Sequence, residues 1–172
     1  MPRCKEVMRV NVCHDSKALW AGFPDNIYVQ RLLQHCHTMS IRLAESPVRE
    51  QWFYHPQQRT IYVWPPDLDQ QSLSYLVVIL AHELGHAMDF DSHPAHAAIV
   101  RNCHWSQTPL FIEQAAFVNG FCILKELQIP CSLDQYAAMI ETPMAEHVVN
   151  DIENNHLCCL LSSPRRAMST PS

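Results

Sequence analysis

Leu76-Val77-Val78-Ile79-Leu80-Ala81-His82-Glu83-Leu84-Gly85-His86-Ala87-Met88-Asp89 decides how the rest of the chain reads. The stretch is apolar over the length of a helix and carries His-Glu-x-x-His inside it. On a helix of about 3.6 residues per turn, His82 and His86 lie one above the other on one face, so two imidazoles point at one spot. Glu83 sits about 100° around the helix from His82, where it can flank that spot without ligating what the histidines hold. Two neutral imidazoles in this arrangement suit Zn²⁺, and the carboxylate suits a general base acting on a water held by the metal. With 11 histidines in 172 residues, composition alone would produce about 0.04 such motifs per chain. Burying two histidines without partners costs several kcal/mol, and Gly85 permits another backbone to come close. Both points favour a built site over an accident.

Working outward, the length suits one domain with a real hydrophobic core, expected over residues 1–161. The net charge of −5 and the scattered basic residues offer neither a duplex groove nor an anionic membrane a binding face. The opening Met1-Pro2-Arg3-Cys4-Lys5-Glu6 leads into no apolar signal segment, and the longest apolar run is too short to span a bilayer. A cytoplasmic protein is expected, and its eight cysteines are expected to be thiols. Cys36, Cys122 and Cys158 read as small buried hydrophobes. A second metal site from Cys13-His14 with His35-Cys36-His37 follows no recognisable ligand spacing.

Upstream of the motif, Pro24-Asp25 opens a helix expected to run through Met39, burying Ile27, Leu32, Leu33 and Cys36. From Ser40 the period shifts toward two. Ile41–Ala44, Gln51–Tyr54 and Arg59–Trp64 read as three strands of a small antiparallel sheet. After Pro65-Pro66, Asp67 and Gln70 make a capping box for a motif helix from Leu68 to Phe90. Downstream, a short helix is expected over Ala95–Arg101, and Thr108-Pro109 caps a helix over Leu110–Leu124. Ser132 with Gln135 caps another that ends at Ile140, and Thr142-Pro143 starts a last one toward Leu161. Residues 162–172, rich in Ser, Pro and Arg, read as a disordered tail. The fold class is therefore α+β, a small sheet packed on a helical bundle that contains the motif helix.

A catalytic zinc site takes three protein ligands and keeps one open position. His93 misses the metzincin spacing by one residue, and no register fixes His96 or His104. Glu113 stands near the start of the next apolar helix, 27 residues beyond His86, where an unpaired carboxylate would be costly. It is the best third ligand, against the plainer reading of a negative charge in a helix's first turn.

His82-Glu83-Leu84-Gly85-His86-Ala87 followed by Glu113-Gln114-Ala115-Ala116 resembles the ImmA/IrrE-type metallopeptidase domain, a compact gluzincin. The resemblance spans roughly Ile27 to Ile129 and is specific only in the metal motif. In that family the downstream helix carries Glu-x-x-Ala-Asn/Asp-x-Phe-Ala. Here Phe117, Asn119 and Gly120 depart from the pattern, while Glu113 and Ala116 keep it. The resemblance implies a zincin-like fold and one Zn²⁺ on His82, His86 and Glu113, with Glu83 as base in peptide-bond hydrolysis. It also implies a protein substrate of the helix-turn-helix repressor class. For the oxyanion donor His93, His96, His104 and Tyr136 remain open, and the strand near Ile61 to Trp64 could pair with an extended substrate. The alternative is a zinc-holding interaction or regulatory module without proteolysis, against which the intact Glu83 speaks, since a structural site needs no base.

Overall fold

The structure is a computed structural model and describes residues 16–101 and 107–155. In chain order it holds α1 (Ser16–Gly22), α2 (Ile27–Thr38), β1 (Arg42–Glu45), β2 (Phe53–His55), β3 (Thr60–Val63) and α3 (Pro66–Gln70). These are followed by α4 (Leu73–Ser92), α5 (Pro94–Arg101), α6 (Leu110–Glu126), α7 (Leu133–Ala137) and α8 (Met144–Asn155). The class is α+β, a three-stranded sheet against a helical bundle. Among the described residues no helix is long and apolar enough to cross a membrane. The far end of the last expected helix, the tail, Cys158 and the Cys13-His14 pair lie outside the described residues.

The sheet is mixed, which corrects the antiparallel expectation. Its order is β1-β3-β2, with β2 antiparallel to β3 and β1 parallel to it. The connection explains the difference. The chain between β1 and β2 leaves a strand's width between them, and β3 returns from β2 into that gap, which makes it antiparallel to β2 and parallel to β1. All four residues of β3 are buried, and both of its edges are paired. It is therefore no platform for a substrate strand.

The motif helix also starts later than its capping box suggested. Asp67 caps nothing: its carboxylate turns inward to accept a hydrogen bond from the Trp52 indole at 2.9 Å. Pro65 and Pro66 launch only the short α3, the chain extends at Gln71, and the Ser72 side chain then caps α4 through the Tyr75 N–H. Similarly, Asn26 caps α2 through Tyr28, and Ile27 at the start of α2 is 59% exposed rather than buried. Pro109 rather than Thr108 stands at the start of α6, without a side-chain cap. The capping box of Ser132 with Gln135 is present on α7. Cys36 and Cys122 are buried as expected, and burial pushes the Cys36 thiol up to about 12.

Two contacts tie the layers together. Arg59, in the β2–β3 turn, holds Asp91 on α4 through both carboxylate oxygens and also donates to the Met39 carbonyl after α2. Arg31 on α2 donates to the carbonyls of Leu127 and Gln128 at the end of α6.

The centre of the bundle is the pair α4 and α6, and their sequences meet as small residue against small residue. A Cβ placed on Gly85 would lie 2.0 Å from the Ala116 carbonyl oxygen, and one on Gly120 would lie 2.8 Å from the Ala81 carbonyl oxygen. Ala81 and Gly85 on one helix, and Ala116 and Gly120 on the other, are each four apart and so share a face. No side chain fits between these backbones, because the obstructing atoms are themselves backbone. Gly85→Ala must therefore separate the helices and is expected to cost about 3 kcal/mol of unfolding free energy in urea. A cost below about 1 kcal/mol would show that the crossing is looser than this contact implies.

Candidate metal centre

His82 and His86 lie on successive turns of α4, facing α6, and the crossing at Gly85 and Gly120 brings the first turn of α6 alongside them. Glu113 projects from that turn. Its Oε2 lies 3.3 Å from His82 Nε2 and 3.5 Å from His86 Nε2. The three donor atoms lie within 4.8 Å of one another and form a possible metal site. The two histidines are buried, while the Glu113 side chain keeps 30% of its surface open.

The rings are set by packing. His82 stacks on Phe117 of α6 at 4.0 Å between centroids, and His86 lies 5.6 Å from Phe90 of its own helix. The imidazoles meet each other edge to face at 4.6 Å. Among the described residues no hydrogen-bond partner reaches the buried Nδ1 of either histidine, so the stacked aromatics do the orienting. Asn119 donates to the Gly85 carbonyl, pinning α6 to α4 at the level of the site.

Burial and charge sort the protonation states. Burial drags the His82 imidazole down to about 4, against the pull of its hydrogen bond to Glu113. Burial acts on His86 in the same sense, but the hydrogen bond to Glu113 and the charges of Glu83, Glu113 and Asp89 outweigh it and raise that group. For Glu113, burial alone would favour the acid form. The hydrogen bonds from both imidazoles overcome that and hold the carboxyl well below the usual range. Glu83 is 3% exposed, and burial pushes its carboxyl up to about 7. His86 opposes that rise, the charge of Glu113 adds to it, and a hydrogen bond from the Tyr54 backbone in β2 opposes it.

The donor set fits a metal. At neutral pH burial keeps His82 a neutral imidazole, Glu113 offers a negative oxygen, and two buried imidazoles converge on that oxygen. Two histidines and a glutamate are the protein ligands of one class of catalytic zinc site.

The other candidates fall elsewhere. His93 and His96 gather on Asp89 rather than at this site. The Tyr136 side chain is fully buried, and its hydroxyl donates to the Phe117 carbonyl. His104 lies outside the described residues, and His35, Cys36 and His37 form no ligand group among the described ones. Sequence reasoning missed Phe117 as the wall of His82 and missed the Tyr54 backbone as the partner of Glu83. Phe117 was visible as a departure from the ImmA/IrrE pattern, whereas the Tyr54 contact has no local signal.

No family model, no curated protein and no solved structure matches this chain. The likeness to the ImmA/IrrE domain thus stands on the motif residues themselves.

Equilibrium dialysis against a divalent transition metal tests the donor set. Glu113→Gln is expected to weaken uptake by more than the roughly 10–100-fold that losing a merely supporting group costs. Glu83→Gln is expected to leave uptake unchanged. Equal uptake by Glu113→Gln and the natural chain would remove Glu113 from the ligands.

Proposed function

We propose that this protein is a zinc-dependent peptidase of the ImmA/IrrE type, with His82, His86 and Glu113 as zinc ligands and Glu83 as general base. The observation that carries the reading is the convergence of a His-Glu-x-x-His pair and a carboxylate from the next long helix on one spot, beside a second carboxylate left out of the ligand set. A purely structural zinc site closes with four protein ligands and keeps no base, whereas this one has three ligands and a buried carboxylate held near 7.

Zinc, when bound, supplies a Lewis acid that acidifies a water and polarises a carbonyl. The protein's own groups supply the rest. His82 and His86, packed against their aromatic neighbours, would hold the metal through Nε2, and Glu113 would add a negatively charged oxygen. Glu83 takes a proton from the attacking water and returns it to the leaving amine. Burial of the Glu83 carboxyl raises its proton affinity above that of an exposed glutamate, the direction a general base requires. A hydrogen bond from the Tyr54 backbone favours the ionised form of Glu83, the form that accepts the proton. The substrate class, a repressor with a helix-turn-helix domain, follows from the family resemblance.

The test is exposure of the zinc-loaded chain to a complex peptide library, with new amino termini read by mass spectrometry. The natural chain is expected to generate cleavages that a chelator abolishes. Glu83→Gln is expected to keep its zinc and to cleave about 10²–10⁴-fold more slowly. Zinc-loaded protein that cleaves nothing, or cleavage that survives Glu83→Gln, would sink the peptidase reading; the first outcome would favour a zinc-holding interaction module.

A further inference from the structure

We propose a second metal site at the corner between α4 and α5, formed by Asp89, His93 and His96 and selective for a borderline divalent ion such as Co²⁺, Ni²⁺ or Zn²⁺. Their donor atoms lie within 4.8 Å of one another. His93 Nδ1 lies 3.0 Å from one Asp89 oxygen and His96 Nδ1 lies 2.8 Å from the other. The two rings stack at 5.0 Å between centroids with 25° between their planes.

Backbone geometry fixes this arrangement. The His93 N–H closes the last turn of α4 on the Asp89 carbonyl at 2.7 Å, Pro94 starts α5, and the His96 N–H bonds the His93 carbonyl at 2.9 Å. Asp, His and His thus stand at positions i, i+4 and i+7, brought to one side by a corner that both helix ends define.

Charge supplies the second, independent observation. The Asp89 side chain is 1% exposed. Among the described residues its carboxylate meets no lysine or arginine, and its hydrogen-bond partners are the two imidazoles. A buried carboxylate calls for a compensating positive charge, and two ring nitrogens placed on it supply the other donors of a cation site. The nitrogen donors select borderline transition metals over Ca²⁺ or Mg²⁺, which prefer oxygen. The His93 side chain is 62% exposed, so an ion can enter from solvent and keep water ligands on that side.

This site shares no ligand with His82, His86 and Glu113, and its test separates the two. Co²⁺ uptake by equilibrium dialysis would be measured for the natural chain, for His93→Ala/His96→Ala and for His82→Ala/His86→Ala. The natural chain is expected to take up one equivalent more than His93→Ala/His96→Ala, and His82→Ala/His86→Ala is expected to retain that equivalent. Asp89→Asn should weaken the same equivalent by about tenfold or more. If the first site binds nothing, the natural chain still takes up the equivalent that His93→Ala/His96→Ala loses. Identical uptake by the natural chain and His93→Ala/His96→Ala would overturn the proposal and leave Asp89 as the hydrogen-bonding anchor of two imidazoles.

Discussion

Everything at the candidate metal centre depends on how closely two backbones can approach. Ala81 and Gly85 on α4 face Ala116 and Gly120 on α6, and at both glycines a methyl group would strike a carbonyl oxygen of the opposite helix. The close crossing is what lets a carboxylate on the short tether of a helix's first turn reach two imidazoles on its neighbour. The three clustered residues stand directly beside the small residues in sequence: His82 follows Ala81, His86 follows Gly85, and Glu113 lies one turn before Ala116. Helix packing and the convergence of these three side chains are consequently one constraint.

Where this chain leaves the ImmA/IrrE pattern, it does so inside that same interface. Phe117 lies flat on the His82 ring, Asn119 hydrogen-bonds the Gly85 carbonyl, and Gly120 admits the Ala81 carbonyl. Phe117 gives the His82 ring a hydrophobic wall, and its own carbonyl is held by Tyr136 from α7. A chain of contacts thus runs from a short peripheral helix to the His82 imidazole.

The motif helix, the buried cysteines and the placement of Glu113 beside the histidine pair were legible in the sequence because each rests on local pattern. Spacing of four puts two histidines on one face, and an isolated carboxylate in an apolar helix asks for a partner. What stayed hidden depended on contacts distant in sequence. Asp67 followed by Gln70 has the form of a capping box, yet the Trp52 indole, 15 residues earlier, competes for that carboxylate and wins. The direction of β1 against β3 is set by how the chain crosses β2, which alternation of residues does not encode. His93, His96 and Tyr136 were each considered as helpers for the first site. The turn of the chain at Pro94 instead carries the two histidines to Asp89, and Tyr136 is spent on α6.

The hydrogen bond from the Tyr54 backbone to Glu83 has a consequence for how such a protein can change over generations. The three clustered donors come from α4 and α6, whereas β2 reaches this region through Tyr54, whose backbone meets Glu83 and whose ring stacks on Phe90 beside His86. Side-chain replacements along Trp52 to His55 that shift β2 by a fraction of an ångström would act on Glu83 through the Tyr54 backbone and on the His86 ring through Phe90. Changes in the strand and changes at these two side chains are thus coupled through one residue and must be accommodated together.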